Sequence, residues 1–197
     1  MTVLKSQWHE TPDLPGDQVK LVQLHGHHAS GVLTAVDDDE VFQWMGLERP
    51  HTLAAARAIV AGYLDNPNLV AWAQIDQHSN ELAGLTAFYD IDPESRAVAI
   101  GYTWLGKKCW RTAINTEAKL LLLSRAFDDL GAVRVVWHTD NLNERSQAAI
   151  ERLGAQREGV LRKHRHRLDG SWRDTVTYSM LDEEWPAAKK KLQARLA

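Results

Sequence analysis

A strand, a basic loop and a long apolar helix follow one another in the middle of this chain, and this unit limits the fold more than any other stretch. Residues 97–105 are apolar and rich in β-branched or aromatic side chains, which predicts a strand. Residues 106–115 contain three basic side chains and are predicted to form a loop. Apolar residues at helical spacing then predict a helix from Thr116 to Leu130, with Gly131 as its stop.

The start of such a helix is suited to binding an anion. Its first backbone N–H groups have no intrahelical partner, and the helix dipole adds partial positive charge at the same place. Phosphate groups bind at helix N-termini for this reason. We therefore predict a phosphate-bearing cofactor at residues 110–116, close to Lys107, Lys108 and Arg111. An ordinary strand–loop–helix with a basic loop is the alternative, and the spacing alone leaves it open.

The length and composition indicate one globular domain. At 197 residues the chain can bury one full core but is short for two. Its apolar fraction of 44% and charged fraction of 25% are typical of such domains. We expect a loosely held leader at residues 1–18, the domain at residues 19–181, and a helix at residues 182–197 that packs on the same domain.

Charge and cysteine content narrow the class of protein and its location. The net charge of −3 argues against a global electrostatic grip on nucleic acid but leaves a local basic patch open, so a nucleic-acid partner is not favoured. A single cysteine, Cys109, excludes an internal disulfide and a zinc site built from cysteines. No stretch has the apolar core of a signal peptide or of a membrane span. We expect a cytoplasmic protein with no membrane partner.

The remaining segments complete a mixed α/β order with a largely antiparallel sheet. The strongest turn signal is Asp169-Gly170, which predicts a hairpin of the last two strands. Strands are expected at residues 19–24, 29–36, 69–75, 82–89, 97–105, 133–138, 156–168 and 172–181. Besides the helix already described, helices are expected at residues 37–45, 50–64, 144–153 and 183–197.

Three histidines lie within four residues, at His25, His27 and His28, and they raise the question of a metal site. Cysteine or carboxylate partners at ligand spacing are absent nearby, so we favour a turn between two strands with exposed imidazoles. No metal site is predicted anywhere in the chain.

A run of six basic residues at 162–167, with the sequence RKHRHR, is the sharpest local cluster of charge. Alternate residues of a strand share a face, so the even-numbered and odd-numbered members are expected on opposite sides. An acidic substrate or an RNA would suit such a surface. We favour a solvated, charged hairpin that discourages aggregation at a sheet edge.

Four short motifs stand in order along residues 19–181. They are Ile100-Gly101-Tyr102 with Trp104-Leu105, then Asn115-Thr116-Glu117-Ala118, then Asn143 and Ser146 with Leu153-Gly154-Ala155, and finally Glu158–Arg162 with Tyr178-Ser179. Together they resemble the GCN5-related N-acetyltransferases, and within them the RimJ/RimL-type branch that acetylates ribosomal-protein N-termini. This resemblance implies one α/β domain with a mixed, mostly antiparallel sheet of about seven strands. It also implies flanking helices and a sheet that splays apart between strands 4 and 5.

The phosphate loop departs from the pattern of the family that it resembles. That pattern is Gln/Arg-x-x-Gly-x-Gly/Ala, whereas this chain has WRTAIN at residues 110–115. Glycine lets the backbone approach phosphates without a side-chain clash. Here Ala113 and Asn115 take the glycine positions. Asn115 tolerates unusual dihedral angles and could cap the helix, and Arg111 with Lys107 and Lys108 could offset lost backbone contacts with charge.

The resemblance implies acetyl-coenzyme A as the cofactor. Its pyrophosphate would bind the backbone of the loop and helix start, and its pantetheine arm would pair like a strand with the end of strand 4. An asparagine after strand 5 would hydrogen-bond a pantetheine amide, although a turn or cap role for that asparagine is equally open. The implied binding residues are Trp104, Leu105, Trp110, Arg111, Thr112, Ala113, Ile114, Asn115, Thr116 and Asn143.

Acetyl transfer also needs groups that move protons. Ser146 matches the position of the proton donor in RimL-type enzymes, and Tyr178 is the second choice because tyrosine fills this role elsewhere in the superfamily. The branch has a glutamate base on strand 4 where this chain has Ala99. His138, at the end of strand 5, has a suitable intrinsic pKa and is the candidate base, with a water chain as the alternative.

Three functions remain open from the sequence. The first is acetyl transfer to a primary amine, which could be a protein N-terminus, an amino-acid-like or antibiotic molecule, or a polyamine. The second is a non-catalytic acyl-coenzyme-A-binding module, which the altered loop and the missing glutamate would suit. The third is an RNA-associated protein that uses the basic hairpin. The tryptophans and the late hairpin also make a homodimer conceivable.

Overall fold

A seven-stranded mixed sheet lies between two layers of helices in the computed structural model, which describes residues 4–197. The predicted α/β class is confirmed. The strands are β1 (Val19–Gln23), β2 (Val70–Asp76), β3 (Leu82–Asp92), β4 (Ala97–Leu105), β5 (Arg134–Asp140), β6 (Gln156–His166) and β7 (Trp172–Leu181). The helices are α1 (Ala29–Ala35), α2 (Leu53–Leu64), α3 (Ala113–Ser124), α4 (Glu144–Leu153) and α5 (Trp185–Leu196).

The sheet has the order β1-β2-β3-β4-β5-β7-β6, and its only parallel pair in the described residues is β4 with β5. These two strands pair at three positions, from Ala97 opposite Arg134 to Ala99 opposite Val136. Both strands then continue without pairing to each other, β4 to Leu105 and β5 to Asp140. The splay predicted between strands 4 and 5 is therefore confirmed, and it opens a cleft in the middle of the sheet.

Each face of the sheet carries its own hydrophobic core. Helices α1 and α2 cover one face, where Val60 and Tyr63 pack with Leu85 and Trp104. We call this the α2 face. Helices α3, α4 and α5 cover the opposite face, which we call the α3 face, and Leu122 is fully buried there. Because successive side chains of a strand point to opposite faces, alternate residues of each strand pack in different cores.

Residues 4–18 pack against the domain, which differs from the loosely held leader that we expected. Trp8 is buried, and the Trp72 indole donates a hydrogen bond of 2.9 Å to the carbonyl of Pro12. The Glu117 carboxylate of α3 accepts the backbone N–H groups of residues 17–19, at 2.6–3.0 Å. A buried tryptophan and a carboxylate clamp tie this segment to both β2 and α3.

Two predicted elements near the N-terminus are wrong. Residues 29–36 form helix α1 rather than a strand, because their buried positions Ala29, Val32 and Ala35 recur every third residue. The aspartates at 37–39 do cap a turn, since the Asp38 carboxylate accepts the N–H of Glu40 at 2.9 Å. That turn is a short 3₁₀ segment, Asp39–Val41, rather than a helix to residue 45.

Other boundaries hold or shift by a few residues. Strand β4 and helix α4 have the predicted ends, and Gly154 closes α4 in the left-handed conformation. The three histidines form the expected turn, but the turn leads into α1 instead of a second strand. Within residues 4–197, no helix combines the length and the apolar character needed to cross a bilayer.

Candidate active site

The cleft begins at a bulge in β4. Leu85 pairs with Trp104 and Ala87 pairs with Gly101, so two β4 residues stand opposite one residue of β3. Tyr102 takes the left-handed backbone conformation there, with φ of +50°. Such bulges bend a strand and re-aim its side chains. Tyr102 and Thr103 are the two residues opposite Thr86, and they lie where β4 has already left β5.

Helix α3 begins at Ala113, three residues earlier than predicted, with Thr112 as its N-cap. The Thr112 hydroxyl accepts the N–H of Ile114 at 3.3 Å and donates to the carbonyl of Cys109 at 2.7 Å. The N–H groups of Ala113 and Asn115 belong to the first turn and have no intrahelical partner by position. The free amides of the helix end thus fall inside the segment predicted to bind phosphate.

The residues in the glycine positions of the loop carry no conformational penalty. Ala113 and Asn115 have ordinary helical backbone, which any residue adopts. The left-handed residue is instead Arg111, with φ of +61°. Thr116 lies inside the first turns, where its N–H bonds along the helix. The substitution of glycine therefore leaves the backbone of the helix start intact.

The basic residues of the loop have unequal freedom. The Lys107 ammonium contacts the carboxylates of Asp38 and Glu40, at 2.7 and 3.1 Å, and Lys108 contacts Glu81 at 2.7 Å. Arg111 is exposed and has no acidic partner within 4.0 Å in the part of the chain that the structure describes. Of the three cations, Arg111 is the one with its charge available to a ligand.

Trp110 lies at the mouth of the cleft. Its indole N–H donates a hydrogen bond of 2.8 Å to the carbonyl of Leu105, at the end of β4. The Arg145 guanidinium of α4 stacks on the Trp110 ring, 3.6 Å from its centroid, and lies 3.6 Å from the carboxylate of Glu40. This stack joins the phosphate loop to α4 across the end of β4. Local sequence pattern does not predict this contact, because the two residues are far apart in the chain.

The start of α4 brings two predicted site residues together. The side-chain oxygen of Asn143 accepts the N–H of Ser146 at 3.0 Å, so Asn143 is the N-cap of the helix. Its amide nitrogen keeps its hydrogen-bonding capacity. Ser146 is half-buried in the first turn. The cap role that we left open for Asn143 is therefore real, and it does not exclude contact with a ligand.

Tyr178 lies on the other face of the sheet from His138. It is fully buried on the α3 face, and its hydroxyl donates to the Glu151 carboxylate of α4 at 2.9 Å. Its role as a proton donor stays a prediction. Its hydroxyl already has a partner, whereas no hydrogen bond of the Ser146 hydroxyl occurs within residues 4–197.

His138 faces the α2 side of the cleft. Its Nδ1 lies 2.8 Å from the hydroxyl of Tyr89, and burial lowers the pKa of its imidazole below the usual 6.5. A cavity of about 90 Å³ lies beside it and is also bordered by Ala99 and Asp90. The small side chain that replaces the glutamate of the branch thus leaves space next to the candidate base. A neutral imidazole in this place can accept a proton.

Sequence reasoning missed a buried lysine below the bulge. Lys119 of α3 is 7% exposed, and its ammonium donates to the hydroxyl of Thr103 at 2.8 Å. That hydroxyl also lies 2.8 Å from the hydroxyl of Thr86. Burial lowers the pKa of Lys119 to about 7. The sequence signal for its burial is its position in an apolar helix. Lys119 is next to Ala118 and three positions before Leu122, which are both buried.

Comparison with known proteins shows which family of proteins this chain is similar to. The family model described as an acetyltransferase (GNAT) domain matches residues 18–156. The uncharacterized N-acetyltransferase YoaA of Bacillus subtilis (strain 168) is 28% identical over 175 residues, which cover 86% of this chain and 97% of YoaA.

Solved structures share the whole fold. A GCN5-related N-acetyltransferase from Brucella melitensis is 34% identical, with a TM-score of 0.92 over 95% of this chain and 86% of its own. RimJ of Mycobacterium smegmatis, solved in complex with CoA-disulfide, is 20% identical, with a TM-score of 0.78 over 96% of each chain. At that identity the likeness to RimJ concerns the fold alone.

Proposed function

Since this chain belongs to the GNAT acetyltransferase family, we propose that it transfers an acetyl group from acetyl-coenzyme A to a primary amine. The acceptor would be a protein N-terminus or a small-molecule amine, and the transfer would be direct, with both reactants bound at once. The observation that carries this proposal is the cleft between β4 and β5, which opens after three paired positions beside the unpaired first-turn amides of α3.

The residues around the cleft suit acetyl-coenzyme A at its phosphate end. The amides of Ala113 and Asn115 and the charge of Arg111 would hold the pyrophosphate. The backbone of Trp104 and Leu105 and the amide of Asn143 would hold the pantetheine arm. The Trp110 indole already bonds the Leu105 carbonyl, so this side chain would have to share or release that acceptor. When bound, the coenzyme supplies an activated acetyl thioester.

Three groups of the chain would serve the chemistry. The imidazole of His138 would take the proton of the acceptor amine, because only a neutral amine is nucleophilic. Backbone N–H groups near Trp104 would stabilise the negative charge that develops on the acetyl oxygen. The hydroxyl of Ser146 would hold a proton for the leaving sulfur.

A charge placed at the helix start gives a sharp test. Ala113→Glu puts a carboxylate in the first turn of α3, which favours the helix dipole but repels phosphate. Ala54→Glu makes the same change in the first turn of α2, away from the cleft, and is the matched control. We expect calorimetry to show acetyl-coenzyme A binding to the parent and to A54E, and binding weakened by roughly 10- to 100-fold in A113E. Equal affinity in all three would contradict the proposed phosphate site.

Coenzyme A release with a panel of amines then tests the reaction itself. Release above the hydrolysis background with at least one primary amine is expected. A second candidate function, a non-catalytic acyl-coenzyme-A-binding module, is favoured by Ala99, which leaves the glutamate position of the branch without a carboxylate. Tight binding of acetyl-coenzyme A without turnover on any amine would support the module. The cytoplasmic location and a homodimer stay predictions from the sequence.

A further inference from the structure

A pair of arginines lies on the α2 face of the last hairpin, beyond the candidate base. Arg165 of β6 pairs with Arg173 of β7, and facing residues of paired strands point to the same side. Arg173 precedes Thr175 by two positions, and Thr175 pairs with Asp140 of β5. His138 pairs with Thr177 in the same ladder. The two arginines therefore share one face with Asp140 and His138.

A bulge in β6 creates this arrangement. Leu161 pairs with Thr175 and Arg165 pairs with Arg173, so three β6 residues stand where one would be regular. Lys163 lies inside the bulge, with φ of +48°, and its ammonium sits 6.0 Å from the ring of Trp172. Trp172 points away from Arg173, because neighbouring strand residues face opposite sides. The strict alternation that we expected over residues 162–167 is wrong for this reason.

The carboxylate of Asp140 is already saturated by another arginine. Arg167 donates from Nε to Oδ2 at 2.7 Å and from Nη2 to Oδ1 at 2.9 Å, and the N–H of Leu142 bonds Oδ1 at 2.9 Å. The Nε of Arg173 lies 4.0 Å from Oδ2 of Asp140, which is too far for a hydrogen bond. Arg167 therefore neutralises Asp140, and the positive charge of Arg173 has no hydrogen bond to that carboxylate.

Two buried polar atoms of β7 lack partners next to this charge. The Nε of Arg173 and the hydroxyl of Thr175 are both buried and without a hydrogen bond within residues 4–197. Only 19% of the Arg173 side chain is exposed. A buried polar group that lacks a partner destabilises the folded state, and a guanidinium gains most from a bidentate anion such as a carboxylate. Among acceptors, an anionic oxygen would stabilise the Arg173 guanidinium most.

The surroundings offer room and a matching negative end. A cavity of about 300 Å³ lies between Trp44 and the β6–β7 turn; Arg173 is not in its lining, but Arg167, which binds Asp140, forms part of its wall. At the other end, Asp90 borders the small cavity beside His138. A molecule with an ammonium group near Asp90 and a carboxylate near Arg173 would match both charges. His138, beside the amine end, and Asp140, beside Arg173, are two positions apart along β5. The amine and the carboxylate of such a molecule would therefore be separated by roughly 7–10 Å.

We propose that the acceptor amine carries a carboxylate, which Arg173 binds with help from Arg165 while the amine lies beside His138. This inference rests on the proposed acetyl transfer and names its substrate class. The separation fits a dipeptide-sized molecule, or a peptide N-terminus with an acidic side chain in its first residues. The specificity of the enzyme for its acceptor comes from β7 rather than from the coenzyme site.

Matched acceptor pairs test the proposal. Ser-Ala against Ser-Ala-amide examines a free carboxylate, and Ser-Asp-Ala-amide against Ser-Asn-Ala-amide examines an acidic side chain. We expect the parent to prefer the carboxylate member of at least one pair by roughly 10- to 100-fold in kcat/KM. The pair that shows the preference identifies the source of the carboxylate. Equal kcat/KM within both pairs would overturn the proposal and leave acetyl transfer standing.

Variants connect that preference to the arginine. Arg173→Gln should lower kcat/KM for the carboxylate member of the pair roughly 10- to 100-fold more than for its neutral member, and so remove the preference. Lys163→Gln removes the same charge from the opposite side of the hairpin and should keep the preference. Arg165→Gln, at an exposed position, should reduce it and serves if R173Q fails to fold by circular dichroism. A preference that survives R173Q, or that R165Q leaves undiminished where R173Q is unfolded, would overturn the proposal.

Calorimetric titration of the dipeptides into the protein with coenzyme A gives a readout that does not need turnover. Binding of Ser-Ala or Ser-Asp-Ala-amide by the parent, lost in R173Q or R165Q, would support the carboxylate site even without activity. The same affinity in parent and variant, or no binding of either carboxylate, would overturn it. Failure of acetyl transfer itself would appear separately, as no coenzyme A release with any amine.

Discussion

Lys119 and Glu117 are two buried, oppositely charged residues of α3. They differ in the number of hydrogen bonds that stabilise their charges. Glu117 accepts three backbone N–H groups, which satisfy a buried carboxylate well. The Lys119 ammonium has one hydroxyl partner, Thr103, among the described residues. A charge buried with a single neutral partner destabilises the fold unless the group loses its proton. The lowered pKa of Lys119 follows from this difference.

The first prediction concerns the stability cost of that lysine. The pKa of Lys119 is about 7 in the folded chain against the ordinary value of 10.5. The unfolded chain therefore binds more protons between these values, and stability rises as the pH rises through this window. Lys119→Met should raise the free energy of unfolding by about 2–4 kcal/mol at pH 6–7, and the gain should shrink towards pH 10.

Urea denaturation of both proteins between pH 6 and pH 10 checks this expectation. Because the comparison is between two chains at each pH, the titration of other groups cancels. Lys190→Met, on the surface of α5, is the control and should change stability little at any pH. A constant difference between parent and K119M across the range would show that Lys119 does not titrate in this window.

The second prediction tests His138 as the base. Its imidazole has a pKa below 6.5 and is neutral at pH 7, so the rate of the parent should level off above that pKa. His138→Ala should lower kcat/KM by roughly 10²-fold and raise the apparent pKa of the acid limb, since the amine must then lose its proton to water. Rate profiles from pH 5 to pH 9 measure both changes.

A control variant distinguishes loss of the His138 imidazole from loss of its hydrogen bond to Tyr89. Tyr89→Phe removes the hydrogen bond to Nδ1 of His138 but keeps the imidazole, so a smaller loss of rate is expected. His51→Ala changes an exposed histidine and should leave the profile as it is. If H138A kept the acid limb of the parent, a water chain or another group would be the base.

At the scale of elements, helix α3 connects distant parts of the fold. Its N-terminus lies at the cleft, its apolar side packs in the core of the α3 face, and Glu117 caps the segment that leads into β1. Gly16 is needed beside this clamp, because a Cβ there would lie 2.6 Å from the Glu117 carboxylate. The position of β1 in the sheet thus depends on a helix about one hundred residues away.

The third prediction follows from that clamp. Glu117→Ala would leave the N–H groups of residues 17–19 without their acceptor, and the one at Val19 is buried. We expect a loss of about 2–3 kcal/mol in the free energy of unfolding, together with faster proteolysis within residues 4–18. Glu183→Ala, at an exposed position, is the control. Urea titration and limited chymotrypsin digestion, which can cleave after the buried Trp8, measure the two effects, and an unchanged cleavage rate would contradict the clamp.

Local sequence signals predicted the elements whose patterns were strong. Strand β4 and helix α4 were placed correctly because each combines a clear apolar period with a defined end. Residues 29–36 are predicted as a strand because Val32 and Thr34 favour strands. They form helix α1 because their buried residues are spaced as in a helix. The start of α3 was placed late because Trp110 and Arg111 look like loop residues and hide the Thr112 cap.

The contacts that define the site could not be predicted from local pattern. The stack of Arg145 on Trp110 and the bond between Tyr89 and His138 join distant segments. Their geometry depends on where β4 and β5 separate and on the register of each pair. The motifs predicted which segments meet at the cleft. They did not predict that Arg173 would lack a partner, because this depends on a bulge in the neighbouring strand.

At the scale of the whole molecule, the two halves of the sheet meet weakly at its centre. Strands β1 to β4 form one half and β5 to β7 the other, and three ladder positions join them directly. Helix α3 and the core of the α3 face supply the rest of the connection. A ligand that bridges the cleft would therefore contact both halves and stabilise the folded chain as one unit.

The last prediction measures that bridging. At a concentration of about 100 times Kd, a ligand that binds only the folded chain adds about 2.7 kcal/mol, so coenzyme A should raise the melting temperature by roughly 5–10 °C. Pantetheine lacks the phosphates and should give a much smaller rise, and Ala113→Glu should lose most of the rise with coenzyme A. Hydrogen exchange should slow at residues 102–105 of β4 and 138–140 of β5 together. Slowing confined to the start of α3 would mean that the phosphates bind while the cleft stays unbridged.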